Sequence, residues 1–467
     1  MLLAGTAALV LAGCSTDQYP HSVFTYNTEF NAGITDLHKR LFLLATIVFV
    51  LVESLLLYVI FRFRRRPGQA EPKHVHGNTT LEVLWTAIPA VILIFIAIPT
   101  VRTIFRTQAK AKPGALQVEV IGHQWWWEFR YPEYNITTAN EVYLPLGRTV
   151  NFALKTADVL HSFWIPALGG KRDLIANHTN YLWYTPDSTQ IPGAQAWYGH
   201  CTEYCGASHA NMRIRAFTVT PAQFESWVKG QQQVAAYGAV ASPGQSSGPQ
   251  TLGAPAAAAA TILQAGAGNA RGPNGESSPG GRDVPLADES AARNNPAPTQ
   301  SASGAGAAGA PNPPQRPAEA LAAGTIAPGW VFPAERMPSY LVPNTRIPAE
   351  LTIDMSLKGD PERGKQIYSS QSCIGCHYIN GNPASLGKIG PNLTHFGSRH
   401  TIGSGLFRND TRTLALWLKN TRAMKPGVIM PTLGKGEIDP VTKRAVTAGG
   451  LTDQQIMDIV AYLQALK

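Results

Sequence analysis

The sequence predicts a multidomain membrane protein: a two-helix transmembrane hairpin, an all-β domain, a disordered linker and an all-α domain, in that order. Three observations carry this expectation. Two apolar stretches, 41–61 and 84–104, are each near the ~20 residues that cross hydrocarbon. The middle of the chain alternates apolar and polar residues with period two, whereas the C-terminal part carries helix-start signals. Residues 231–325 between them are mostly Ala, Gly, Pro, Ser and Gln, a composition that cannot bury enough apolar surface to offset its ordering entropy. The 467 residues fit about three domains, and 43 Gly with 35 Pro exceed ordinary usage, as an unfolded part requires. Five cysteines in so long a chain exclude a disulfide-dense secreted scaffold. Apolar residues bunched rather than spread argue against a single compact cytosolic enzyme.

Residues 1–13 read as a secretory signal, an apolar run too short to span a bilayer. Its end, Leu11-Ala12-Gly13-Cys14, resembles the bacterial lipoprotein lipobox, which implies cleavage before Cys14 and lipid on its sulfur. A plain signal peptide containing a cysteine is the alternative. Residues 14–40 form an extracytoplasmic segment, and 41–111 the hairpin. The loop at about 62–80 holds Arg62, Arg64, Arg65, Arg66 and Lys73 against Glu71, so it is cytoplasmic and both termini face the other side. Glu53 sits mid-span, where a lone carboxylate is costly and turns toward protein; a hydrogen bond to a partner helix is its expected role. Within 112–230, Leu116, Val118 and Val120, Val142 and Leu144, Val150, Phe152 and Leu154, then Ile214 and Ala216, repeat with period two and predict a sandwich or barrel. Residues 231–354 form the linker, whose ~95 low-complexity residues up to about 325 would span about 50–60 Å as a coil. Its last part, 326–354, is richer in aromatics and lies along a folded neighbour. In 355–467, Asp360 before Pro361 is a helix start, and Thr452 with Gln455 is a capping box.

Chemistry concentrates in two clusters. In the β domain, Cys201, Glu203, Cys205, His209 and Met212 share one short segment, with His161 forty residues earlier. Thiolates, imidazole and thioether are a soft donor set that selects copper, the thioether arguing against zinc. A second thiolate allows two coppers rather than one. A Cys201–Cys205 disulfide or a zinc loop is the plainer reading, but either leaves Met212 and His161 unused.

The pattern C-x-E-x-C-x3-H-x2-M, preceded by a histidine in Asp-Val-Leu-His-Ser, resembles the binuclear CuA centre of the cytochrome c oxidase subunit II family. The resemblance covers about residues 20–230 and implies a cupredoxin-like Greek-key fold. It implies that Cys201 and Cys205 bridge two coppers, that His161 and His209 each bind one, and that Met212 and the Glu203 carbonyl complete the set. The Glu203 side chain would face a Mg²⁺ shared with subunit I. In Gly122-His-Gln-Trp-Trp-Trp-Glu128, neighbours alternate faces, so three tryptophans cannot share one core. The resemblance makes Trp125 the electron-entry residue and leaves Trp126 and Trp127 as an aromatic rim against subunit I. It also places Glu82 near the mouth of a proton channel of subunit I, although a carboxylate at a helix start is common.

In the C-terminal domain, Cys373-Ile-Gly-Cys376-His377 is the attachment motif for one covalent c-type haem, with His377 on the iron. A redox dithiol is the plainer reading, disfavoured by the adjacent histidine and the helical context. Met424 and Met430 compete as sixth ligand; Met430, followed by Pro431, has the spacing of class I cytochromes c, which this domain resembles. That resemblance also gives the Pro391 carbonyl the task of holding the His377 ring. His395 and His400 are packing or surface residues.

Together these features imply subunit II of a haem–copper terminal oxidase, passing electrons from haem c to CuA and on to subunit I, where dioxygen is reduced with proton translocation. Its implied partners are subunits I and III, with a quinol–cytochrome c reductase complex or soluble cytochrome c as donor. The implied location is the bacterial inner membrane. A CuA subunit of a nitric oxide reductase and a stand-alone membrane-anchored carrier are the alternatives. Residues 355–467 hold 14 basic and 7 acidic side chains, so most of the net charge of +9 sits on the haem domain. Such a field guides docking to an acidic redox partner and signals no nucleic acid.

Overall fold

The computed structural model describes residues 19–68, 76–111, 113–235 and 326–467. The expected signal and Cys14, the loop residues Glu71 and Lys73, and most of the linker lie outside the described residues.

Helices α1 (Glu29–Arg62) and α2 (Thr79–Gln108) form the hairpin. Thr28 caps α1 by accepting from the Asn31 amide, and Asn78 caps α2 by accepting from Leu81. Pro89 and Pro99 lie inside α2, which runs on through both. With 34 residues, α1 is longer than the bilayer requires, and residues 29–40 of the expected N-terminal segment are already helix. Its first turns are buried against the β domain: Asn31 Nδ2 donates to the Pro166 carbonyl at 2.7 Å and Thr28 Oγ1 to that of Leu168 at 2.6 Å. Arg106, near the end of α2, donates to the Glu29 carbonyl at 3.3 Å, closing the hairpin at this end. Further along both helices the apolar side chains are exposed, as a surface for lipid or partner helices must be.

Ten strands follow: β1 (Leu116–His123), β2 (Trp126–Tyr131), β3 (Ile136–Ala139), β4 (Glu141–Pro145), β5 (Val150–Thr156), β6 (His161–Trp164), β7 (Arg172–Leu174), β8 (Asn180–Tyr184), β9 (Gln195–Cys201) and β10 (Arg213–Val219). They make two five-stranded sheets, ordered β3-β2-β1-β5-β8 and β4-β10-β9-β6-β7. The pairs β1–β5 and β4–β10 are parallel, the crossovers expected of a Greek-key, cupredoxin-like domain. Leu116, Val118, Val120, Val150, Phe152 and Leu154 all point into the core, so the period-two reading has the correct register. Helix α3 (Pro221–Gln231) then closes the sandwich behind a Thr220–Gln223 capping box.

Residues from 326 onward return along the folded parts. Phe332 and Leu341 are buried in the β-domain core and Leu351 in the helical core. The helical domain contains α4 (Pro361–Ser370), α5 (Cys373–Cys376), α6 (Thr411–Lys419), α7 (Thr421–Met424) and α8 (Asp453–Ala465), with a short pair β11 (Thr401–Ile402) and β12 (Phe407–Arg408). Asp360 and Thr452 cap α4 and α8. The two helices cross at Gly364, where a Cβ would lie 2.0 Å from the Asp458 carbonyl oxygen, so only glycine permits the approach.

Candidate functional site

The end of β9, the start of β6 and the loop 202–212 bring the six expected donors together. The sulfurs of Cys201 and Cys205 lie 3.8 Å apart and both thiols are free, so the disulfide reading does not hold. His161 Nδ1 is 3.8 Å from Cys201 Sγ, and His209 Nδ1 is 3.6 Å from Cys205 Sγ. Met212 Sδ is 3.9 Å from Cys205 Sγ, and the Glu203 carbonyl is 3.2 Å from Cys201 Sγ. The Glu203 carboxylate is exposed. The two thiols are inequivalent: the hydrogen bond they share holds Cys201 well below the usual thiol range and pushes Cys205 up. A bound cation would drive off the second proton, as soft-metal sites require.

His161 is fully buried, and its Nε2 meets Asp158 Oδ1 at 2.8 Å, leaving Nδ1 for the thiol side. Burial opposes protonation of this ring, but the bonds to Asp158 and Cys201 outweigh it and raise its pKa. Asp158 Oδ2 also accepts from the Gln124 amide at 2.7 Å, tying His161 to the aromatic block.

Trp125 stands in the turn between β1 and β2, and the other two tryptophans divide on β2 as strand alternation demands. Trp125 is 8% exposed, and its indole N–H donates to the Cys205 carbonyl at 2.9 Å. Trp126 is partly exposed and stacks on His123, ring centroids 4.1 Å apart. Trp127 overturns the rim expectation: it is fully buried in the β core, packed on Phe163 and donating to the Met212 carbonyl at 3.4 Å. On β2 it takes the face opposite Trp126, and that face is the interior.

A cavity in the helical domain has Cys373, Cys376 and His377 on its wall. His377 Nδ1 donates to the Pro391 carbonyl at 2.8 Å, which leaves Nε2 free to ligate. Burial lowers the pKa of this ring, keeping it neutral, the form a metal needs. Met430 lines the same cavity; Met424 is buried in the helical core and is not on its wall. Two thiols, a neutral imidazole and a thioether around one cavity fit a covalent haem, as the six donors of the β domain fit a pair of soft cations. His395 bonds the Gln231 carbonyl at 3.2 Å and His400 packs on Phe217, so both are packing residues.

The cavity wall continues onto Gln124, Trp125 and Trp126 of the β domain. The joint is polar and buried. Glu141 Oε1 accepts from the amides of His400 and Thr401 at 2.9 and 3.1 Å, and Arg215 Nη2 donates to the Gly405 carbonyl at 3.1 Å. Burial pushes Lys425, in the same joint, down to about 7. Glu82 stands apart: it is exposed at the start of α2, where its Oε1 accepts from the Asn78 amide at 3.2 Å.

Sequence reasoning missed Asp158, Glu141, Ser208 and Lys425. Asp158 had a signal, its spacing of three residues from His161. The other three bond across chain separations of more than two hundred residues, which no local pattern encodes.

Comparison with known proteins matches residues 27–103 to the family "Cytochrome C oxidase subunit II, transmembrane domain", 134–219 to "Cytochrome C oxidase subunit II, periplasmic domain" and 361–467 to "Cytochrome c". The chain is 25% identical over 427 residues to cytochrome c oxidase subunit 2 of Alkalihalophilus pseudofirmus, covering 90% of this chain and 83% of that one. It is 35% identical over 244 residues to the Bacillus sp. PS3 protein of the same description, covering 49% and 67%. Against the protein of that description in Arabidopsis thaliana it is 30% identical over 230 residues, covering 44% and 86%.

Proposed function

From a chain that belongs to the cytochrome c oxidase subunit II family, with two inner-membrane spans and its β domain on the periplasmic side, we propose a relay of single electrons from haem c to CuA and on to subunit I. The chain is the electron-accepting subunit of a haem–copper oxidase and does not itself reduce oxygen. When bound, the haem and the copper pair supply one-electron redox chemistry. The residues of the chain hold, orient and insulate them.

In this reading Cys201, Cys205, His161, His209, Met212 and the Glu203 carbonyl would hold the copper pair. Cys373 and Cys376 would attach the haem, and His377 and Met430 would hold its iron. A thioether paired with an imidazole would give the haem a higher potential than two histidines, as suits one-electron transfer. Trp125 is the point of entry to the copper site. The exposed Glu203 carboxylate serves a Mg²⁺ shared with subunit I, and Glu82 serves the entrance of its proton channel. Cys14 carries the lipid anchor.

One observation carries the reading: the haem cavity is walled on one side by Trp125, whose indole bonds the carbonyl of the copper-ligand candidate Cys205. The test is to purify the chain with its membrane partners and to supply a reduced c-type cytochrome. Oxygen consumption is expected. Nitric oxide consumption without oxygen uptake would assign the chain to a nitric oxide reductase, and a chain that purifies alone would be a stand-alone carrier.

A further inference from the structure

We propose that Lys425, Pro426 and Gly427 form a clasp that fixes Trp125 and the copper-ligand loop against the haem cavity. The inference rests on the reading of Trp125 as the electron-entry residue. Each of the three residues makes one part of the clasp. Lys425 is 2% exposed, and its ammonium donates to the Trp125 carbonyl at 2.6 Å and to the Gly403 carbonyl at 3.1 Å. The Pro426 carbonyl accepts from Ser208 Oγ at 2.5 Å, and Ser208 is fully buried in the loop between Cys205 and His209. Gly427 has φ +92°, and a Cβ there would meet the Trp125 indole at 2.7 Å and the Ala207 Cβ at 3.3 Å.

Glycine is therefore required twice over at 427, for its backbone conformation and for the close approach to the ring. A lysine ammonium taken from water is costly unless its donors are used. Here it reaches two carbonyls of facing segments that no apolar side chain could satisfy. Ser404 Oγ donates to the same Trp125 carbonyl at 2.7 Å, so both polar contacts to that oxygen come from the haem domain. Three residues beyond Gly427 the chain reaches Met430 on the cavity wall. One short segment thus touches the indole, the copper loop and the haem cavity.

An electron passing from ferrous haem to the oxidised copper pair oxidises one centre and reduces the other, with no bond made or broken and no proton required. Its rate depends on how closely the two sites are held, and the clasp sets that closeness. Lys425 is accordingly a positioning residue.

The experiment compares full-length protein carrying Lys425→Met, Lys425→Arg or Ser208→Ala with the wild type. Two readouts are taken: electron equilibration between haem and copper after photoreduction, and hydrogen exchange of amides 205–209 and 425–430. Lys425→Met is expected to slow equilibration about tenfold or more, the fall in the seated population when a charged hydrogen bond is lost. Exchange in both segments should rise while the haem and copper absorption bands stay in place. Lys425→Arg should recover most of the rate, because a donor to both carbonyls is restored. Ser208→Ala should slow transfer less, by about threefold, the loss of one neutral hydrogen bond, and it decides alone if Lys425→Met does not fold. Wild-type rates and wild-type exchange in Lys425→Met and Ser208→Ala would overturn the clasp. A wild type with no transfer between its two centres would overturn the functional reading, and the clasp with it.

Discussion

Replacing Glu141 tests whether the haem domain is seated on the β domain by the contacts described. One buried carboxylate oxygen takes the amides of His400 and Thr401 and the Thr401 hydroxyl, at 2.9, 3.1 and 3.3 Å. It also supplies negative charge to Arg215 and Arg399, two guanidiniums that burial, partly opposed by Glu141, holds down at about 10. Glu141→Ala therefore strips the acceptor from three donors and leaves two buried cations uncompensated. Removing one partner from a buried charged network costs about 3–5 kcal/mol. At about 1.4 kcal/mol per factor of ten, this is roughly two to three and a half orders of magnitude in the docking equilibrium. Glu141→Gln keeps the shape and a carbonyl acceptor but not the charge, and neutral hydrogen bonds are about half as strong, so its effect should be roughly half as large. The assay is hydrogen exchange of the His400 and Thr401 amides in the full chain. Exchange should accelerate in the order wild type, Gln, Ala. If Glu141→Ala leaves these two amides as protected as in the wild type, the carboxylate does not hold the joint and the reasoning fails.

Three further outcomes are expected. Met212→Leu should alter the copper absorption spectrum and leave that of the haem intact; an unchanged copper signal removes Met212 from the ligand set. Met430→Leu should perturb the haem spectrum and lower its potential, whereas Met424→Leu should change neither, and the opposite result would exchange their roles. For acid stability, burial alone would raise the pKa of Asp458, but Arg363 and the Asp360 amide outweigh it and hold the carboxyl below its ordinary value; the amides of Thr442 and Val441 and the side chains of Thr432 and Arg422 do the same for Asp439. A depressed folded pKa gives stability that is complete above the unfolded value of about 4 and is lost as pH falls through the folded one. The melting temperature of the haem domain should therefore fall below about pH 4, and Asp458→Asn should flatten that fall. A melting temperature that stays level down to pH 3 contradicts the assignment.

What was legible in the sequence was whatever the chain holds close along itself. Cys201, Cys205, His209 and Met212 lie within twelve residues, so their spacing alone brings them near one another. The same is true of Cys373, Cys376 and His377, and of the caps at Asp360 and Thr452. Trp127 was misread although the rule that places it was available: alternation sets it opposite the partly exposed Trp126, on the face that is the core. The joint was not legible. Lys425 meets Trp125 across 300 residues and Glu141 meets Thr401 across 260, and a buried lysine or glutamate looks in a sequence like any solvated one. Composition predicted a loose tether between the domains and could not show that the domains it joins have complementary faces.

The continuous helix α1 has a mechanical consequence. At 1.5 Å per residue its 34 residues extend about 51 Å, some 20 Å more than the hydrocarbon layer. Because its first turn is bolted to the 166–168 loop, just past the end of the strand that His161 begins, the sandwich stands on a rigid post. Height above the lipid is set by counting helical residues, and azimuth is set with it. Inserting one residue in the post would lift the sandwich by about 1.5 Å and turn it by about 100°, so the membrane anchor also works as the gauge that sets the height and heading of the sandwich.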